Sequence, residues 1–322
     1  MANYRYSSDL INDILFRAGE PVDGTSDFEE EALRLLNRAY RAVWMGGGEF
    51  VKDMNEPWLW LKKDPPGTLT LIPVDESGTV SVTNNNTAIT FSATKSLDLD
   101  GYFFKVQGHP DVFRISAHTA GSASATLGSA YTGTTDSAAA YRLMKLEYTL
   151  ASDVLRLIAP MRVQYDNKSK IVGMDISALD TQYPLADTSA GVPDAFGLVA
   201  EQKIRFSHAG GVDSGEYINV EYDYLRIPDD LTDSGAEEPA VPLQHRHVLA
   251  DIALFYLYTS KNDDRAELLG TQARGVLKAM QTDNRARLQH VGGSNFGAIR
   301  PRMNAGRQHQ PPLRTSSGLI IG

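Results

Sequence analysis

The chain has 322 residues, 42% hydrophobic, 22% charged and 9% aromatic, which is enough apolar mass for two or three packed units. It contains no cysteine, so disulfide scaffolds and thiolate metal or redox sites are excluded. The net charge of −9 is unevenly spread: Asn284–Gly322 has six Arg and no Asp, Glu or Lys, leaving −15 on residues 1–283.

The opening MANYRYSSDL lacks a basic region followed by an apolar one, so no signal peptide is expected. No apolar run reaches membrane-spanning length, and a soluble protein is expected. Ser7, Ser8 and Asp9 offer helix caps. Leu10, Ile11, Ile14, Leu15 and Ala18 form an apolar stripe that Gly19 and Pro21 stop. Ser26 and Glu29 have capping-box spacing at the head of a second helix, whose core face is Ala32, Leu33, Leu36, Ala39, Tyr40 and Val43. Gly46-Gly47-Gly48 ends it, giving an N-terminal helical hairpin over 1–64.

After Pro65-Pro66-Gly67 the period changes from helix to strand. Thr79–Thr83 alternates, Asn84-Asn85-Asn86 turns, and Thr87–Phe91 returns as the second strand of a hairpin. Further strands are expected at Tyr102–Gln107, Val112–Ala117, Ser124–Leu127 and Ala139–Leu146. Together they make a small barrel or sandwich over 65–146. A second β-rich module over 147–232 has its clearest strands at Phe196–Ala200, Lys203–Ser207 and Tyr217–Leu225. In the last, Ile218, Val220, Tyr222 and Tyr224 make the buried face. Leu155–Asp175 is mixed in pattern and yields no assignment.

Past the acidic link Asp229–Pro242 the helical period returns. Leu243, Val248, Leu249, Ile252, Phe255 and Tyr256 mark one helix, and Leu268, Leu269, Ala273, Val276, Leu277 and Met280 the next, over 233–290. Neither hairpin buries both faces alone. The expected fold is therefore α+β: a helical-hairpin bundle of N- and C-terminal helices with inserted antiparallel β modules and an extended basic tail over 291–322.

Catalytic signatures are missing: the chain has no phosphate-binding loop, dinucleotide fingerprint, nucleophile elbow or H-E-x-x-H. Gly121-Ser122-Ala123-Ser124-Ala125 grazes the elbow pattern but reads as a surface turn. His245, His247 and Asp251 lie close enough to suggest a metal, yet lack a third convergent ligand and read as a polar helix start. Asp23, Thr25, Asp27 and Glu29 alternate like a calcium loop but run straight into a helix, so capping is the better reading. Glu221 and Asp223 share a strand face and read as solvated charges rather than an acid/base pair. No catalytic residue, cofactor or metal is expected.

The tail is the one feature with a functional reading. Arg285, Arg287, Arg300, Arg302, Arg307 and Arg314 suit an acidic partner. The apolar Leu319, Ile320 and Ile321 suit strand addition to a neighbour's sheet edge. An inert, disordered end is the bland alternative.

The order of helical hairpin, β insertion, helical hairpin and basic tail resembles the head-to-tail adaptors of tailed bacteriophages, the gatekeeper or tail-tube-A-like proteins. The matching phrases are Asp9–Gly24 with Asn37-Arg38-Ala39-Tyr40, Gly78–Asn84, Phe113-Arg114-Ile115, Tyr131–Thr134, Glu147–Asp153, Val220–Leu231, Val241-Pro242, Leu249–Leu257 and Asp263–Ala266. The resemblance implies a structural, non-enzymatic subunit of a ring, commonly twelvefold. Such a ring sits in the virion neck after assembly in the host cytoplasm. It docks beneath the portal protein, touches copies of itself and a tail nozzle, tube or fibre protein, and passes double-stranded DNA without specific binding. No membrane and no cofactor are implied. The competing expectations are a virion adhesin or tail-fibre-type glycan-binding protein, suggested by the Ser/Thr/Asn-rich modules, and a glycan hydrolase.

Overall fold

The computed structural model describes residues 4–22, 27–50, 57–164, 166–185, 189–211, 217–232, 235–290, 313–314 and 320–321. Helices α1 (Ser7–Ala18) and α2 (Asp27–Trp44) come first. Strands β1 (Gly67–Leu71), β2 (Val80–Val82), β3 (Ala88–Phe91), β4 (Phe103–Val106), β5 (Phe113–His118), β6 (Ser124–Leu127), β7 (Asp136–Ala139) and β8 (Tyr141–Met144) follow. Then come β9 (Glu147–Thr149), β10 (Val154–Val163), β11 (Asp166–Met174), helix α3 (Ile176–Gln182), β12 (Ala195–Ala200), β13 (Lys203–Phe206) and β14 (Ile218–Arg226). Helices α4 (His247–Ser260) and α5 (Arg265–His290) precede the short β15 (Leu313–Arg314) and β16 (Ile320–Ile321).

This corrects the expected fold class. The protein is mostly β, with two nearly closed, barrel-like sheets of seven strands each and five α-helices among the described residues, not a helical-hairpin bundle carrying β insertions. The weight moves to the sheets because Leu155–Asp175, which periodicity leaves unassigned, is the long antiparallel pair β10–β11. Its register shifts between Val154 and Arg156 and between Ile158 and Arg162, so side chains do not alternate strictly and the two-residue period is lost. The chain divides into two compact units, Met1–Leu59 with Leu231–Gly322, and Trp60–Asp230.

In the Trp60–Asp230 unit one sheet runs β7-β2-β3-β6-β5-β4-β8. Its two edge strands are separated by the single residue Ala140, so the chain itself carries one edge round to the other. The expected hairpin is present as Val80 opposite Phe91 and Ser81 opposite Thr90, with Asn85 left-handed in its turn (φ 58°). Phe91, Phe104, Tyr141 and Ile115 fill the interior.

The other sheet runs β1-β14-β10-β11-β12-β13-β9, antiparallel except for β11–β12, which α3 connects. Strand β1 therefore belongs with the strands after residue 146, not with the module expected over 65–146. Ile218, Val220, Tyr222 and Tyr224 point into the core as their alternation predicts. The seam between edge strands β1 and β9 is bridged by a side chain: the Tyr148 hydroxyl accepts from Ile72 N at 2.8 Å. Gly67 is required where β1 crosses Tyr222, because a Cβ there would lie 2.3 Å from the ring.

In the other unit α1, α2, α4 and α5 pack together. α1 stops at Gly19, which is left-handed (φ 81°). Its head is capped by Asp9, whose carboxylate accepts from Arg5 N and Tyr6 N at 3.0 Å each. The Ser26 capping box lies outside the described residues. α4 is buried from Val248 through Leu254 on all sides, so it is the central helix rather than one with an outer face. Leu243 and Leu268, expected in core stripes, are exposed. No helix among the described residues is long and apolar enough to cross a membrane.

Candidate functional site

The site with the most to act on lies at the two ends of α5. At its head, Asp263 accepts from Arg265 N at 2.9 Å and starts the helix, just after Lys261 closes α4. Toward its tail, Leu269, Ala273, Leu277 and Met280 face the core, and the row ends on a buried amide, Asn284. Asn284 accepts from Leu59 N at 2.9 Å and donates to Pro57 O at 3.0 Å, which fastens α5 to the chain after α2. Beyond that clamp Arg285 and Arg287 are exposed. From Asn284 onward the sequence holds only positive formal charge. Of the other residues expected in a docking tail, Arg300, Arg302, Arg307 and Leu319 lie outside the described residues. Arg314 pairs with Ile320, and Leu313 with Ile321, in the antiparallel β15–β16 pair.

Near the head of α5, helices α1, α2 and α4 leave a cleft of about 290 Å³. Leu15, Ala18, Leu35 and Leu257 give it an apolar floor, and Phe28, Glu20, Glu31 and Lys261 also line it. The sequence gives no sign of this cleft, because its walls come from three helices far apart along the chain.

The remaining sequence candidates resolve into structural roles. Asp251 is ion-paired with Arg17 at 2.8 Å, and Asp13 joins from the other side at 3.2 Å. Burial works against the Arg17 charge, but these carboxylates outweigh it and hold its pKa above the ordinary guanidinium value. His245 instead meets Asp283 at 3.0 Å, and the His247 ring lies 6.4 Å from that of Tyr4. No group of three metal-binding side chains converges among the described residues. Of the calcium-like run, Asp23 and Thr25 lie outside the described residues, while Asp27 and Glu29 fall in the first turn of α2. Gly121–Ala125 is a turn leading into β6. The His118 ring nitrogens there approach Leu99 N and Ser122 O, backbone groups rather than a hydroxyl nucleophile.

Asp223 departs from the expectation of a solvated charge. It is 8% exposed and sits between Lys62 at 3.3 Å and Arg162 at 3.4 Å. Two polar clusters have no signature in the sequence. Asp153 accepts from the Tyr224 hydroxyl at 2.8 Å and from Lys63 Nζ at 3.3 Å; burial would raise its pKa, but these two donors lower it overall. The Ser207 hydroxyl, 2.9 Å from His208 Nδ1, accepts from the Asp194 and Ala195 amides at 3.1 and 3.2 Å, so it ties backbone together.

No protein-family model matches the chain, and no curated protein matches it in sequence.

Proposed function

We propose that the protein is a structural ring subunit of a tailed-phage neck, an adaptor that docks beneath the portal and carries the DNA channel on toward the tail. The observation that supports it is the charge division at Asn284. The clamp on Pro57 and Leu59 marks the last anchored side chain of α5, and every formal charge after it is an arginine. A segment of that kind is built to leave its own subunit and seek carboxylates, which guanidinium groups hold in bidentate pairs. The −15 borne by residues 1–283 fits the same role, since a channel of acidic subunits repels phosphate and lets DNA slide.

The test mixes the full chain, or a chain ending at Gln289, with portal rings and follows ring occupancy by native gel and negative-stain imaging. The full chain should add a second tier to the portal, and the shortened chain should not. Unchanged portal affinity without residues 290–322 defeats the docking role of the basic segment. Specific hits on a glycan array would favour an adhesin.

A further inference from the structure

We infer that the cleft between α1, α2 and α4 is the socket for the arginine-rich segment 291–312 of a neighbouring copy, so that subunits join head to tail. The inference deepens the adaptor reading and rests on it for the purpose of the contact.

The chemistry of the cleft is that of an arginine site. Its floor is apolar at Leu15, Ala18 and Leu257. Phe28, in the first turn of α2, is 45% exposed, and Glu20 and Glu31 supply carboxylates beside it. Phe16, two residues before Ala18, is 79% exposed. A guanidinium can stack on an exposed ring while its N–H groups reach a carboxylate. Lys261 also lines the cleft, so the carboxylates leave a net of one negative charge among its lining residues. Segment 291–312 brings Arg300, Arg302 and Arg307 with no acid, and Phe296 and Met303 as apolar side chains for the floor.

Geometry favours a neighbour over the same chain. Lys261 lines the cleft and α5 starts four residues later, so the cleft lies at the head of α5. The arm leaves from the other end, and a helix of 26 residues is about 39 Å long. Val291–Arg302 spans about 40 Å only when fully extended, which leaves no slack for a return along its own helix. Between two copies the same ends meet directly. A socket at one end and a plug at the other make a heterologous contact, the kind that closes into a ring when the rotation between copies allows it.

The absence of native cysteine allows a direct test in the full-length chain. Val22→Cys places a thiol on an exposed residue two positions from Glu20, and Asn304→Cys places one between Arg302 and Arg307. Thr126→Cys, on an exposed position of β6, serves as the control. Equal mixtures of single-cysteine chains are oxidised mildly at high protein concentration, and the disulfide-linked heterodimers are quantified by mass. The Val22→Cys and Asn304→Cys pair should cross-link several-fold faster than Thr126→Cys with Asn304→Cys. A chain carrying both Val22→Cys and Asn304→Cys should give a ladder of oligomers. Adding Glu20→Lys with Glu31→Lys should lower the yield about three- to tenfold, as expected for losing partly exposed charge pairs. Cross-linking no faster than the control, a doubly substituted chain that only closes on itself, or a yield indifferent to the charge reversal would each overturn the inference. A ladder from a protein that ignores portal rings would reject the adaptor function and leave the contact standing. Portal binding without a ladder would do the reverse.

Discussion

Asp75→Asn should destabilise the protein more than Lys95→Met, although the two residues form one ion pair. Lys95 Nζ lies 2.6 Å from the Asp75 carboxylate, with the rings of Tyr141 and Phe91 at 5.1 and 5.3 Å. The Lys95 side chain is 9% exposed, whereas that of Asp75 is 37% exposed. Removing the carboxylate leaves an ammonium in an aromatic pocket with only the Ser77 carbonyl and hydroxyl near it, at 3.5 and 3.4 Å. Breaking a buried pair this way costs about 3–5 kcal/mol; with Asp75 partly in water, about 2–3 kcal/mol is expected. Removing the ammonium leaves a carboxylate that water reaches and that keeps the Ser77 amide at 2.9 Å, so Lys95→Met should cost about 1 kcal/mol.

Thermal melts followed by circular dichroism should show Asp75→Asn lower by about 4–12 °C and Lys95→Met by about 2–4 °C. The pH dependence has a definite sign. Burial opposes both charges, yet the mutual contact wins. The Asp75 pKa is lowered, by Lys95 and Ser77 against burial, and the Lys95 pKa is raised, by Asp75 and Tyr141 against burial. The stability from Asp75 is present above the ordinary carboxylate pKa and is lost as pH falls through its lowered folded value. That from Lys95 is present below the ordinary lysine pKa and is lost as pH rises through its raised folded value. The pair should therefore contribute a flat plateau through neutral pH, and Asp75→Asn should remove the acid-side loss. Equal costs for the two substitutions, or a larger cost for Lys95→Met, would refute the reasoning.

Three further outcomes follow from the sheets. Tyr148→Phe removes the acceptor of the Ile72 amide at the barrel seam; it should cost about 1–2 kcal/mol in urea titrations and speed hydrogen exchange at Ile72. Gly67→Ala drives a methyl into the Tyr222 ring and should cost about 1–3 kcal/mol, and Tyr222→Leu in the same chain should recover part of it in the same titration. Asp75 and Leu143 are hydrogen-bonded to each other in both directions, at 3.0 and 2.9 Å, so the chain leaves and re-enters the β1–β14 sheet side by side. Replacing Glu76–Arg142 with an Asn-Gly turn should leave that sheet folded, with dispersed amide resonances; collapse to a molten spectrum would show that the second barrel is needed to complete it.

Much of the local structure is legible in the sequence. The Val80–Phe91 hairpin announces itself through alternation around three asparagines, and β14 through Ile218, Val220, Tyr222 and Tyr224. The balance of the fold is not legible. In β10 the bulges around Arg156 and Ile158–Arg162 scatter apolar residues off the two-residue period, and Pro160 reads as a break in a segment that is in fact a ten-residue strand. β1 is short, follows two prolines, and takes its place only through Tyr222 on a strand far along the chain. Without β1, β10 and β11 no second barrel can be counted, and the helices at either end look like the frame. Periodicity also marks which side of a helix is apolar but not where burial stops, which is why it places Leu268 inside and passes over Asn284.

The functional features divide along the same physical line. Formal charge is additive along the chain, so the arginine-only segment after Asn284 is plain from the sequence alone. A socket for it is a property of surfaces brought together. Glu20 looks like a residue at a helix end, Glu31 like one of three acids favouring the positive end of the α2 dipole, and Phe28 like one more core aromatic. Each reading is sound for the residue alone. Packing α1 and α2 against Leu257 and Lys261 turns the three into one concave, acidic and aromatic face. The long straight run of α5 then places that face at the opposite end of the same helix from the segment it suits. Separation along one rigid helix makes self-satisfaction difficult and contact with a second copy easy, and a subunit meant to sit in a ring requires that asymmetry.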